Sequence, residues 1–378
     1  MPALPYFALV GPTANEDRLR RTVREFLAHE LPADYRPGLG MTSGWNSEFS
    51  RRLAQRGWVG MAIPKAYGGG ENGAVERFIV TEELLAAGAP VGAHWVADRQ
   101  TAPMILRYGT EQQRRRYLPG IAAGRCFFSI GMSEPEAGSD LAAVRTTAER
   151  VEGGWRVIGT KVWTSYAHLS HYLVVLCRTS RRADDPHGGL SQLIVDLSSP
   201  GITVKPIQFL SGSHDFNEVV LNEVFVPDDM LLGEPGSGWT QVTSELVHER
   251  GGPDRFLSTF ALLRLFLRKH GEHADREAVG RLVSELWTIR QLALSNAAML
   301  DNGTASPVAA ALVKDLGTRH EQLAVQTIAR LAGIDPDPFS EDAFENLLAE
   351  AIMAAPSFTI RGGTSEVLRV VSARAMKA

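Results

Sequence analysis

Cysteine is nearly absent from the 378 residues; only Cys126 and Cys177 occur. Two thiols exclude a disulfide framework, and they exclude a zinc or iron–sulfur centre built from several thiolates. A charge excess is missing too. The 39 Lys+Arg and 43 Asp+Glu leave a net charge of −4, spread along the chain, so no field steers it to nucleic acid or an anionic membrane. No apolar run approaches the roughly 18 residues that span a bilayer. The start, Met1 to Val10, has neither a cationic region nor a small-residue cleavage site, so it is not read as a signal peptide. A cytoplasmic protein without membrane insertion is the expectation. What is present is ordinary for a globular protein: 44% apolar residues, enough for two or three packed units.

The period of the apolar residues changes twice. Thr13-Ala-Asn-Glu16 has capping-box spacing, and Leu19, Val23, Phe26 and Leu27 follow at helical intervals. Further helices are predicted over Glu48–Arg56, Val75–Ala87 and Glu111–Ala123. Near Cys126 the pattern becomes one of strands. Val151–Val162 alternates, with Glu152-Gly-Gly154 as the hairpin turn, and Tyr172–Leu176, Leu193–Leu197, Ile202–Ile207 and Glu218–Val226 are short and β-branched. After Gly238 the helical period returns, with stripes Phe256/Phe260/Leu263/Leu267 and Leu282/Leu286/Ile289/Ala293 that need partner helices. The expected architecture is an N-terminal helical domain over 1–125, a central β-barrel or sandwich domain over 126–236, and a C-terminal four-helix bundle over 237–378. Asp335–Ser340, with two prolines, is the one linker-like segment.

Several familiar strings fail on context. Gly68-Gly-Gly70-Glu-Asn-Gly73 matches G-x-G-x-x-G, but a dinucleotide fingerprint sits between a strand and a helix, and here both flanks are helical. A plain turn is the better reading. His168-Leu-Ser-His171 and His270-Gly-Glu-His273 lack the spacing that puts two imidazoles on one helical face, so surface or capping roles are expected and no metal. No G-x-S-x-G elbow is present, and neither cysteine has an activating setting.

The informative stretches are Gly131-Met-Ser-Glu-Pro-Glu-Ala-Gly-Ser-Asp140 and Lys161-Val-Trp-Thr-Ser165. Chemically, the first is a polar loop rich in backbone donors and hydroxyls, suited to wrapping a hydrogen-bonding ligand. The second sets a large planar ring beside two hydroxyls, suited to flanking another planar ring and bonding its edge. A hairpin with a core tryptophan would read the same way from these residues alone.

In order along the chain stand Gly57-Trp-Val-Gly60 with Pro64, Tyr67 and Gly68-Gly69, then Tyr117-Leu-Pro119, Met132-Ser-Glu-Pro135 with Gly138-Ser-Asp140, Lys161–Ser165, Phe225-Val-Pro227 and Gly363-Thr-Ser-Glu-Val-Leu-Arg369. Together these resemble the signatures of the flavin-dependent acyl-CoA dehydrogenases, in family order and spacing over nearly the whole chain. The resemblance implies an oxidoreductase that binds FAD and removes the α proton and β hydride of an acyl-CoA thioester. By the same resemblance, Met132 and Ser133 would contact the pyrimidine side of the flavin, Trp163 would lie against its ring, Ser165 would bond near N5, and Thr164 would belong to the cofactor-binding set. Thr364 and Glu366 would touch the cofactor from the bundle, and Ser139 would lie along the CoA arm. A homo-oligomer or a heteromer with a paralogous subunit is implied, and an electron-transfer flavoprotein or similar acceptor.

In many members the base is a glutamate just before the Gly-Thr of the last motif. Here Gly362 stands in that place and cannot be the base. A subset of the family carries the base on an earlier bundle helix within a Glu-Arg pair, and His248-Glu249-Arg250 occupies the corresponding position. Glu249 is therefore the expected base, with Arg250 serving substrate binding or helix packing; an exposed ion pair is the alternative for the two. Arg268-Lys-His-Gly-Glu-His273 and Ala329-Arg-Leu-Ala-Gly333 depart from the family strings that reach the neighbouring subunit's cofactor. Two other readings follow: a flavin monooxygenase or oxidase on the same scaffold, and a non-catalytic subunit of a heteromeric dehydrogenase.

Overall fold

The computed structural model describes residues 5–11, 13–42, 44–180 and 185–377, and the side chains of 42, 246–249, 376 and 377 lie outside the description. Along the chain the order is helical, then β, then helical. The helices are α1 (Ala14–Glu30), α2 (Ser47–Gln55), α3 (Ala74–Ala86), α4 (Gly92–Val96), α5 (Ala102–Tyr108) and α6 (Glu111–Ala122). The strands are β1 (Phe128–Gly131), β2 (Thr147–Val151), β3 (Gly154–Ser165), β4 (Tyr172–Arg178), β5 (Leu190–Asp196), β6 (Ile202–Ile207), β7 (Phe216–Pro227) and β8 (Leu231–Leu232). Six more helices follow: α7 (Gly238–Arg250), α8 (Phe260–His270), α9 (Arg276–Asp301), α10 (Pro307–Ala332), α11 (Ala343–Phe358) and α12 (Ser365–Lys377).

Packing groups these elements into two compact units. Met1–Gly44, Asn72–Val91 and Leu246–Ala378 make one; Trp45–Glu71 and Gly92–Glu245 make the other. In the first, α8–α11 form the four-helix bundle and α12 lies against α10. The bundle core is Leu262, Leu263, Phe266, Leu282, Ile328, Phe344, Leu347, Leu348 and Phe358. Of the predicted α8 stripe, Leu263 faces the core, but the buried face is turned towards Leu262 and Phe266. Phe256 ends a 3-10 turn ahead of the helix, and Leu267 is 37% exposed while Leu262 and Phe266 point inward. A four-residue break before α8 shifts the phase of the helix, and the apolar count alone does not register it. The α9 stripe faces the core through Leu282, Ile289 and Ala293 as predicted.

α3 belongs to this unit because of its charges as well as its apolar face. Glu83 pairs with Arg20 and Arg24 of α1, while Glu82 pairs with Arg20 and with Arg290 of α9. The carboxylate of Asp301, at the end of α9, accepts the Ala74 and Val75 N–H groups and so caps α3. At α1 the capping box forms between Thr13 and Glu16, satisfying two of the donors that a helix start leaves unpaired.

In the second unit the strands form one mixed sheet in the order β6-β7-β3-β2-β4-β5-β8, with β1 added parallel to β4. β2 and β4 join at a single residue pair, Thr147 with Arg178. The sheet is thus two leaves sharing one point, sandwich-like and not a closed barrel. The hairpin between β2 and β3 turns at Gly153, whose φ is +73°. The glycine run at 68–73 is a turn after the 3-10 segment Lys65–Tyr67, and a Cβ on Gly69 would lie 2.0 Å from the Ile63 carbonyl oxygen. Between α4 and α5 the helix widens into a π turn over Ala97–Thr101.

Candidate active site

The sheet unit carries the first group of expected residues. β3 pairs with β7 as far as Lys161 and Val219, bulges, and resumes at Thr164 with Asn217 and Ser165 with Phe216. The bulge holds Trp163 at φ +59°, a conformation few bulky side chains adopt, and leaves its ring 57% exposed. Tyr166 follows at φ +52°. Bulges re-aim side chains, and strain of this kind concentrates where a ligand is held. Beside the indole, Phe216 packs edge-on with ring centroids 6.1 Å apart. Ser165 is half-buried, and its carbonyl accepts the Ser129 hydroxyl at 2.8 Å. Thr164 differs from its neighbours: its side chain is fully buried and its hydroxyl lacks a hydrogen-bond partner.

The loop leaving β1 runs beside this strand. Val162 N–H donates to the Ser133 carbonyl at 2.9 Å, and a tight turn joins Glu134 to Ala137 through N–H···O bonds of 2.8 and 3.2 Å. Met132 and Ser133 are half-buried, and Ser139 is exposed. Beneath them Lys161 and Glu134 form a buried ion pair of 2.7 Å. Burial pushes the Glu134 carboxyl up, but Lys161 and the donors around it outweigh that and hold it below the usual range.

The bundle unit carries the second group. Glu249 lies in the last turn of α7, and its side chain is outside the described residues. Its neighbour Arg250 is 9% exposed and donates from Nε to the Gly362 carbonyl at 3.1 Å. The fully buried Lys314 of α10 donates from Nζ to the next carbonyl, Gly363, at 2.6 Å. Gly362 and Gly363 have φ of +66° and +97°, which only glycine adopts freely. Behind them Arg361 donates to the Ser258 hydroxyl at 2.6 Å, and Ser258 N–H donates to Glu321 at 2.7 Å. Glu321 is fully buried, and that burial raises its pKa.

Thr364 caps α12, its hydroxyl accepting Val367 N–H at 3.4 Å. Glu366 sits in the first turn, exposed, and its carboxyl is held below the usual range by its own N–H and by the Thr364 hydroxyl. Both residues thus take part in capping the start of α12.

Each unit therefore gathers its own set: Met132, Ser133, Trp163 and Ser165 in one, Arg250, Gly362, Thr364 and Glu366 in the other. Sequence reasoning passed over Glu134, Lys161, Lys314 and Glu321 as functional residues. The last two carried a signal, since a lysine and a glutamate seven apart fall on the apolar side of α10, where charge is costly. The histidines do local work: His168 bonds Asn217, His171 accepts Phe127 N–H, and His270 stacks on Phe266.

Models of the acyl-CoA dehydrogenase N-terminal, middle and C-terminal domains match residues 13–125, 129–224 and 264–377. The chain belongs to the acyl-CoA dehydrogenase family. The acyl-CoA dehydrogenase FadE29 of Mycobacterium tuberculosis is 32% identical over 380 residues, covering 97% of each chain. Among solved structures, the Tcur3481-Tcur3483 steroid ACAD is similar with a TM-score of 0.86 at 29% identity, over 97% of this chain and 98% of that one. The ChsE4-ChsE5 complex from Mycobacterium tuberculosis is similar with a TM-score of 0.85 at 28% identity, over 98% and 99%. As a member, this chain is an FAD-dependent acyl-CoA dehydrogenase, an oxidoreductase acting on the α,β bond of an acyl-CoA thioester. Its own residues fit the cofactor: an exposed indole on a strained bulge, beside half-buried serines and a loop edge, suits a planar ring with a polar rim. Among the described residues, no helix is long and apolar enough to cross a membrane.

Proposed function

We propose that Glu249 is the base that takes the α proton. The observation that carries this is the bond from Arg250, the next residue, to the Gly362 carbonyl. It fixes the end of α7 against the segment that carries the base in many relatives and that here has no side chain to offer. The α proton of a thioester is a weak acid, so its acceptor must be partly desolvated and held close. In the sheet unit, Met132, Ser133, Trp163, Thr164 and Ser165 would hold FAD; in the bundle unit, Thr364 and Glu366 are the candidates for a cofactor contact. The chemistry FAD supplies when bound is acceptance of the β hydride at N5. Ser139 and Arg250 contact the CoA thioester. Glu249→Gln should keep bound flavin and lower turnover by about 10²–10⁴. Wild-type turnover in that variant would remove the assignment.

The reading extends to a second polypeptide. Two similar solved structures are named as pairs of different chains, and the Arg268–His273 and Ala329–Gly333 segments depart from the strings that serve a neighbouring subunit's cofactor. A heteromer with a paralogous chain therefore ranks above a homo-oligomer, with an electron-transfer flavoprotein as acceptor and the cytoplasm as location. A steroid-linked acyl-CoA is the first substrate to try, given the steroid enzyme among the similar structures. Purification alone and after co-expression with a paralogue tests this. Full flavin content and turnover in the lone chain would refute the heteromer.

A further inference from the structure

The sheet unit holds a buried ion pair that the reaction does not use. Glu134 follows Met132 and Ser133 in the loop, and Lys161 precedes Trp163 by two residues. Their side chains are 5% and 0% exposed. The Glu134 carboxylate accepts four bonds: Lys161 Nζ at 2.7 Å, Arg145 N–H at 2.6 Å, Thr146 N–H at 3.0 Å and the Thr146 hydroxyl at 2.6 Å. Lys161 Nζ makes a further bond to the Met132 carbonyl at 3.2 Å. Two glycines leave room for the arrangement. A Cβ at Gly131 would lie 3.0 Å from Lys161 Cγ, and one at Gly159 would lie 2.3 Å from Thr146 Oγ1.

A buried ion pair is a poor way to gain stability, because desolvating both charges offsets their attraction and an apolar pair of similar volume often does as well. An apolar pair, however, cannot hook a carbonyl and two amides at fixed points. Lys161 is also the last regularly paired residue of β3 before the bulge that carries Trp163.

We propose that Glu134 and Lys161 are positioning residues that lock the Met132–Ser133 loop edge in register with the Trp163 bulge. Neither touches the reacting atoms. The pair fixes the spacing between the loop edge that offers polar contacts and the indole that offers a face. This rests on the flavin reading above for one of its two readouts.

The test compares the wild type with Glu134→Leu/Lys161→Met, which replaces the pair by apolar side chains, and with Glu134→Gln, which keeps the shape and an acceptor for the amides. Amide hydrogen exchange is measured on the flavin-free chain, and affinity by titration with FAD. The melting temperature of the double variant should fall by several degrees, because the Arg145 and Thr146 N–H groups and the Met132 carbonyl lose their partners. Exchange over 129–136 and 160–166 should quicken about tenfold in both variants while the rest is unchanged, and FAD affinity should fall about tenfold. A folded variant with wild-type exchange and affinity overturns the proposal. So does a double variant whose loss is spread over the whole unit, which would make the pair a stability element. Wild-type chain that takes up no FAD, alone or with its partner, would sink the flavin reading, and exchange would still judge the pair.

Discussion

Acid should weaken the sheet unit through one side chain, His94 on α4. It is buried and bonds Ser50 Oγ through Nδ1 at 2.8 Å. Ser50 donates its own proton to the Asn46 carbonyl at 3.1 Å, which leaves Nδ1 as the donor to Ser50 Oγ. Burial pushes its pKa from 6.5 down to about 4, with Asp98 opposing and Arg99 reinforcing the change. The folded value lies below the unfolded one, so the folded state prefers the neutral ring. The stability His94 contributes is complete above about pH 6.5 and is lost as pH falls towards 4. A tenfold change in a protonation equilibrium is worth about 1.4 kcal/mol, so between pH 7 and pH 4.5 the loss from this residue is about 2 to 3 kcal/mol. The assay is urea unfolding followed by tryptophan fluorescence at both pH values, for the wild type and for His94→Asn. Asparagine keeps an amide donor near the Nδ1 position and does not titrate. The variant should start less stable at pH 7 and lose about 2 to 3 kcal/mol less on acidification. Carboxylates elsewhere contribute equally to both proteins and cancel. Equal losses in the two would refute the buried, neutral imidazole.

Two further substitutions probe the site itself. Trp163→Ala removes a ring that is 57% exposed, so the melting temperature should move by less than about 2 °C while FAD affinity drops at least about tenfold; equal affinity would take the indole out of the cofactor's path. Lys314→Met removes the donor to the Gly363 carbonyl, at a cost of about 2 kcal/mol. Calorimetry should show a lower melting temperature, and kcat should fall more than KM rises, because the loop beside α7 loses its anchor; an unchanged kcat would show that the anchor does not matter to the chemistry.

Much of the fold is legible in the residues because local chemistry and packing agree there. The capping box at Thr13 and Glu16, the glycine at 153 and the β-branched runs each specify their element without help. The α8 phase is lost on Phe256, which is apolar and buried but belongs to a 3-10 turn. The grouping of α3 with the bundle is decided by Glu82, Glu83 and Asp301, whose partners lie far along the chain. Periodicity carries no information about such pairings. At the site, the strings around Ser133, Trp163 and Ser165 are readable as motifs, but the bulge that turns the indole outward arises from the pairing with β7. Lys161 looks like an ordinary strand lysine until its burial is known.

The central claim is that a carboxylate on α7 takes the α proton. Its most direct measurement is anaerobic mixing of the flavin-loaded enzyme with an acyl-CoA substrate, following flavin bleaching in the wild type and in Glu249→Gln. The account predicts rapid bleaching of the wild type without oxygen and at least about a hundredfold slower bleaching in the variant, with flavin content unchanged. Bleaching at the wild-type rate in Glu249→Gln would contradict it.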